Sequence, residues 1–181
     1  MRAGCALLLI DVIHPFEFEG AEKLLRRAAR IVEPTRRLAA EARRAERPVI
    51  YVNDNFGRWR SSFEELVERC EEGRGAEMVR ALDPKPSDLF VLKPHRSGFY
   101  CTPLELLLAD LGCEELVVAG LTTDMCVLST VSDARMRDMQ VTVVEDACEA
   151  LDDERHETAL SLMRLSHDAR VVKAEALSAT S

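Results

Sequence analysis

The sequence predicts an α/β fold in which a central, mostly parallel six-stranded sheet is covered on both faces by helices. Two observations predict it. Short apolar runs of the length and character of strands buried in a parallel sheet recur along the chain. Between them lie longer charged segments whose apolar residues fall at helical spacing, so that strands and helices alternate. The length of 181 residues suits one domain with a proper core, and no repeat, low-complexity tract or linker divides residues 1–181.

The first strand is Cys5–Ile10, an apolar run that stops at Asp11. His14-Pro15-Phe16 follows, and Pro15 disfavours helix at His14. A long amphipathic helix is expected from Ala21 to about Glu46, with Leu24, Leu25, Ala28, Ile31, Val32, Leu38 and Ala42 apolar, arginines as a solvated face and Pro34 as the place for a break. Pro48–Val52 is the second strand and runs into the turn-rich stretch Asn53-Asp54-Asn55-Phe56-Gly57. A helix from Arg58 to Glu72, a break at Gly73–Gly75, a short helix from Ala76 to Leu82 and the proline-bounded loop 83–86 complete a long excursion, a natural source of pocket walls.

The third strand, Asp88–Leu92, ends at Lys93, where Pro94 stops it. Thr102-Pro103-Leu104-Glu105 has the makings of a helix start, with Thr as cap, Pro at the first position and Glu three residues after the Thr; Gly112 closes that helix. Leu116–Ala119 is the fourth strand and Gln140–Val144 the fifth, ending near Glu145-Asp146. Asp152 or Asp153 caps a helix running to about Leu165, and Ala169–Val172 is a last strand. Lys173–Ser181 lacks a strong pattern and is expected to fray.

Composition narrows the function classes. Apolar residues make up 47% and charged residues 31%, the balance of a soluble globular protein. A net charge of −8 argues against nucleic acid or an anionic membrane as partner. The N-terminal apolar run is too short to span a membrane and lacks a cleavage site, so a cytoplasmic protein is expected. The six cysteines form no C-x-x-C pair and no zinc-finger spacing, and reduced thiols are the better default.

The chemistry is expected around Gly120-Leu-Thr-Thr-Asp-Met-Cys126. Gly120 ends the fourth strand, Thr123 and Asp124 are each able to cap a helix, and Val127, Val131, Ala134 and Met136 fit one helical face. Cys126 then falls in the first helical turn, where the helix dipole favours a thiolate and unpaired backbone amides can receive an oxyanion. The other reading is a small core residue at a strand–helix junction. Asp11, Lys93 and Cys126 each follow or end a predicted strand, and in a parallel sheet those positions share one edge. Together they supply a base, a cation and a nucleophile, the parts of an acyl-transfer site.

These residues give the chain a resemblance to the isochorismatase-like cysteine hydrolase superfamily, the nicotinamidase-related amidohydrolases. It rests on Leu9-Ile-Asp11, on Lys93 with Arg96-Ser-Gly-Phe-Tyr-Cys-Thr102, and most specifically on Ala119-Gly-Leu-Thr-Thr-Asp-Met-Cys126, with Glu145-Asp-Ala147 and His156 in the closing portion. The resemblance implies a Rossmann-like three-layer α/β sandwich and a triad of Asp11, Lys93 and Cys126. It also implies a non-proline cis peptide at Leu121–Thr122 and oxyanion donors in the backbone amides of Thr122 and Cys126. Assembly as a homo-oligomer, a dimer or larger, is likewise implied.

The reaction implied is metal-independent cleavage of a C–N bond in a small amide, imide or carbamoyl compound through a thioester, with no cofactor. Nicotinamidases carry an Asp/His metal set after the second strand; here that region reads Asn53-Asp54-Asn55-Phe56, with no His from Asp54 to Pro94, so no catalytic metal is expected. Members that hydrolyse the vinyl ether of isochorismate lack the nucleophilic Cys, which leaves that activity as an alternative. A ligand-binding or redox-responsive scaffold without turnover is the other. Candidate substrate-binding residues are Phe16, Asn53, Asn55, Trp59, Phe99 and Tyr100. His95 is read as a solvated loop residue and His156 as structural.

Overall fold

Why the central strand is central follows from its composition. In the computed structural model, which describes residues 4–59, 62–82 and 84–178, strand β1 (Cys5–Ile10) is buried along its whole length. Cys5, Leu7 and Leu9 face one apolar core, and Ala6, Leu8 and Ile10 face the other. A strand with no polar face needs cover on both sides, and it receives it. The sheet is six-stranded and all parallel, with the order β3-β2-β1-β4-β5-β6. The further strands are β2 (Val49–Asp54), β3 (Leu89–Lys93), β4 (Glu115–Leu121), β5 (Gln140–Glu149) and β6 (Arg170–Val172). Going out from β1 the order reverses between β1 and β4, which opens a crevice at their carboxyl ends.

The helices segregate by face. On the side of Leu7 and Leu9 pack α1 (Ala21–Ala28), α2 (Val32–Arg44), α3 (Phe63–Glu72), α4 (Ala76–Leu82) and α8 (Ala174–Ser178). On the side of Leu8 and Ile10 pack α5 (Leu104–Asp110), α6 (Leu128–Arg135) and α7 (Asp153–Ser166). Gly120 lets β4 lie against β1: its φ is +129°, and a Cβ there would stand 2.0 Å from the Ile10 carbonyl oxygen. Among the described residues no helix is long and apolar enough to cross a membrane.

Several elements differ from the expectation. The predicted helix 21–46 is two helices joined by a 3₁₀ turn at Ala29–Ile31. Pro34 itself sits in the first turn of α2, where a missing N–H is tolerated, so the break falls upstream of it. The helix expected from Arg58 begins at Phe63, where the Ser62 hydroxyl accepts the Glu65 amide at 3.2 Å; residues 60 and 61 lie outside the described residues. In α5 the Thr102 hydroxyl accepts the Leu104 amide, which places Pro103 ahead of the helix rather than in it. Strand β5 continues past Glu145-Asp146 to Glu149, beyond a register shift opposite Val118/Gly120. Residues 174–178 form α8 instead of fraying, with the Ala174 amide held by Asp146 at 2.8 Å; residues 179–181 lie outside the described residues. Met136 falls off the buried face of α6 and is exposed.

Nor are the arginines of the first helices only a solvated face. Arg43 on α2 grips the buried Asp88 with two hydrogen bonds, at 2.9 and 2.5 Å. Arg27 on α1 pairs with Glu149 at 2.8 Å and Asp153 at 2.5 Å, and Arg30 joins Glu149 at 3.4 Å. These pairs tie the helices to the ends of β3 and β5.

Candidate active site

At the end of β1 the chain turns sharply: Asp11 has a φ of +48°, a conformation a short polar residue tolerates, while its amide still pairs with the Val52 carbonyl at 3.0 Å. The turn sends the Asp11 carboxylate across the carboxyl edge of the sheet. One oxygen accepts the Asp54 amide at 2.6 Å, and the other meets Lys93 Nζ at 2.8 Å. Lys93 is the last residue of β3, in register with Asp54, and is fully buried. Its ammonium also lies 3.5 Å from Cys126 Sγ and 3.7 Å from Asp54. The Cys126 thiol in turn hydrogen-bonds the Asp11 carboxylate. Three residues far apart in sequence are thus in mutual contact at one rim of the sheet.

The cysteine reaches that point through a single π-helical turn, Thr123–Val127, which opens directly from β4 and runs into α6. Such a wide turn re-aims side chains relative to a regular helix and is frequent at functional sites. The Met125 and Val127 amides both return to the Thr122 carbonyl, at 3.1 and 3.2 Å. The peptide bond Leu121–Thr122 is cis. Thr123 and Asp124, expected as caps, bind α7 instead: Thr123 Oγ1 lies 2.9 Å from His156 Nδ1, and Asp124 lies 3.6 Å from Arg155. On the other side the Thr130 hydroxyl donates to the Cys126 carbonyl at 2.7 Å and accepts the Gly98 amide at 3.0 Å. The turn that carries Cys126 is therefore fastened from both flanks.

The electrostatics differ from a thiolate poised by a helix dipole. Burial, reinforced by the Asp11 carboxylate, pushes the Cys126 thiol up to about 12, and Lys93 only partly offsets this. Burial also raises Asp11 above the ordinary carboxylate range, against the pull of Lys93. For Lys93 burial favours loss of the proton, but Asp11 first, with Cys126 and Asp54, outweighs it and the value is raised. The resting site thus holds a thiol, an ammonium and a carboxylate more basic than usual.

Above the triad lies a cavity of about 310 Å³. Asp11 and Cys126 form its base. Phe18, Leu24, Phe56, Leu121, Met125 and Leu151 make an apolar wall, and His14, Asp54 and Thr122 supply polar groups. None of the six residues expected to bind substrate is among those lining it. Phe16 is wholly buried beneath it, its ring 4.5 Å from that of His14. Asn53 is buried with its amide donated to the Ile13 carbonyl at 2.7 Å. Asn55 closes a turn by accepting the Gly57 amide at 3.0 Å, and it faces a separate hollow with Arg58 and Arg69. Trp59 is 83% exposed. Phe99 is buried under the Arg137 guanidinium. Tyr100 is 57% exposed and leans edge-on against His95. Sequence reasoning missed His14 and Asp54, although both follow strand ends on the edge that drew attention to Asp11. Phe18, Leu24 and Leu151 carried no readable signal.

All six cysteines are unpaired; Cys101 is exposed, and Cys5, Cys70, Cys113 and Cys148 are buried. Among the described residues no group of three or more His, Cys, Asp and Glu side chains is placed to hold a metal ion.

Comparison with known proteins bears on what such a site belongs to. Residues 5–176 match the Isochorismatase domain family. The isochorismatase family protein YaaI of Bacillus subtilis is 35% identical over 162 residues, 90% of each chain. The solved structure of an isochorismatase family protein from Desulfovibrio vulgaris, 28% identical, superposes with a TM-score of 0.78 over 99% of this chain and 98% of that one. N-carbamoylsarcosine amidase from Thermoplasma acidophilum, also 28% identical, superposes with a TM-score of 0.72 over 94% and 96%. With the family's fold carried from the first strand to the last helix, the chain belongs to the isochorismatase family and is a hydrolase.

Proposed function

We propose that this hydrolase cleaves the C–N bond of a small amide, imide or carbamoyl compound through a thioester on Cys126. The observation that carries the reading is the contact of Asp11, Lys93 and Cys126 beside a largely apolar cavity, with Lys93 2.8 Å from the carboxylate and 3.5 Å from the sulfur. The likeness to N-carbamoylsarcosine amidase supports a carbamoyl or amide substrate.

The chemistry follows from the charges. Asp11, made more basic by burial, takes the S–H proton as the sulfur attacks the substrate carbonyl. Direct thiolate formation is unfavourable in the resting site, so proton transfer accompanies attack. Backbone amides of Thr122 and Cys126 are assigned to the oxyanion. The tetrahedral adduct collapses, the C–N bond breaks, and Asp11 returns its proton to the leaving nitrogen. Water then adds to the thioester as Asp11 accepts its proton; the C–S bond breaks and the sulfur regains a proton. Lys93 stays charged throughout and keeps the carboxylate and the developing thiolate from being isolated in a dry site.

The test is ammonia or amine release from a panel of small amides and carbamoyl compounds, with mass spectrometry of the protein trapped during turnover. An acyl adduct on Cys126 and loss of turnover in Cys126→Ala are expected. Turnover persisting in Cys126→Ala would remove the nucleophile from the scheme.

A further inference from the structure

The polar groups of the cavity wall form a set whose charge is one-sided. Asp11 lines the cavity, and its partner Lys93, 2.8 Å away, lies behind that carboxylate and outside the lining. Asp54 adds a second carboxylate, 3.7 Å from the same ammonium. Among the described residues no arginine and no lysine lines the cavity. Arg69, which lies over the Phe56 ring at 5.8 Å, is already paired with Glu17 and faces the neighbouring hollow. A substrate carboxylate entering here would shed water beside two carboxylates and meet no counter-ion among the described lining residues, which is costly against a largely apolar wall.

His14 is the wall's fixed donor. The Phe16 amide donates to its Nδ1 at 2.7 Å, so Nδ1 carries a lone pair and the ring proton sits on Nε2. The rings of Phe16, Phe18 and Phe56 stand around the imidazole with centroids 4.5, 5.8 and 5.1 Å away. Burial holds His14 down to about 4, so the ring is uncharged at neutral pH. Among the described residues no protein acceptor meets Nε2, which leaves that N–H as the one polar atom the ring offers to the cavity. The backbone at His14 is packed against Gly75, just ahead of α4, where a Cβ would stand 2.0 Å from the His14 carbonyl oxygen.

We infer that the cavity selects an uncharged substrate, and that His14 reads the end remote from the scissile carbonyl by donating its Nε2–H to a neutral oxygen there. The inference rests on the reading that this cavity is the acylation site. It narrows the substrate class to neutral carbamoyl and amide compounds with a second oxygen acceptor and an otherwise apolar body.

A matched pair of probes tests it: N-carbamoylsarcosine, which carries a carboxylate, and its N,N-dimethylamide, which presents a neutral carbonyl at the same place. Ammonia release gives kcat/KM on the parent protein, and calorimetry on Cys126→Ala gives Kd without turnover. The neutral compound is expected to be favoured at least about tenfold, since one desolvated charge is worth more than one factor of ten. His14→Phe, which keeps a ring among the phenyl groups and removes the donor, is expected to raise KM for the dimethylamide about fivefold or more with a smaller change in kcat. His14→Arg should narrow or reverse the preference. Equal or tighter binding of the carboxylate overturns the inference, as does a dimethylamide that fails to bind or a folded His14→Phe that binds it as well as the parent. Should His14→Phe not fold, the probe pair on the parent decides alone. Selective binding of the neutral probe without an acyl adduct would sink the thioester reaction and leave this selectivity standing.

Discussion

Asp11 and Cys126 show how burial changes the work a residue can do. The Cys126 thiol, pushed up to about 12 by burial and by Asp11, is protonated across the neutral range. Its thiolate share therefore grows as pH rises toward that value, and alkylation of the resting protein by iodoacetamide, read at Cys126 by peptide mass mapping, should climb through the alkaline range. A plateau below pH 9 would show a poised thiolate instead. Asp11 works in the opposite sense. Its carboxyl is raised above the ordinary 3.8, so the base is present above that raised value and is lost as pH falls through it. The acid limb of kcat/KM should lie above the range of a free aspartate, and Asp11→Asn should lower kcat/KM by about 10²–10⁴-fold with the fold retained. What was legible at this scale came from strand ends: Asp11, Lys93 and Cys126 each stand where an apolar run stops. The pocket wall was not legible, because Phe16 and Phe18 look alike in sequence, while the turn at Phe16, with a φ of +53°, buries one and leaves the other at the cavity.

Strands and helices were readable where one pattern ran uninterrupted. β1, α4 and the start of α7 fall where periodicity and caps put them, with the Asp152 carboxylate accepting the Arg155 amide at 3.0 Å. Elements shaped by distant partners were not. β5 runs on through acidic residues because each acid has a tertiary partner: Glu145 has Arg164, Asp146 has the Ala174 amide, and Glu149 has Arg27. The same holds for α2, whose Arg43 looks like solvent-facing charge until its fork meets Asp88, a carboxylate that also accepts the Lys85 amide at 2.8 Å. Arg43→Leu leaves that buried carboxylate without its cation and should destabilise the fold by about 3–5 kcal/mol, measured as a fall in the urea midpoint. A change under 1 kcal/mol would mean that water replaces the guanidinium there.

For the whole molecule, the strand order explains why the site exists at all. The reversal between β1 and β4 leaves a crevice at one edge, and the chain fills it from β1, β3 and the turn after β4. The proposed site and the fold then share a buried ion pair. Lys93→Met should cost about 3–5 kcal/mol of stability, because the buried Asp11 carboxyl loses its cationic partner. The double variant Asp11→Asn/Lys93→Met should recover part of that loss and none of the activity; strictly additive losses in the cycle would argue that the two residues do not interact. Two residues of the cavity lining also belong to separate parts of the chain, Leu24 on α1 and Leu151 after β5. They are joined by Arg27 and Glu149, whose side chains are only 12% and 7% exposed. Mobile ions screen such a clasp weakly. The attachment of α1 to the end of β5 is consequently made when the chain folds, and added salt should loosen it little.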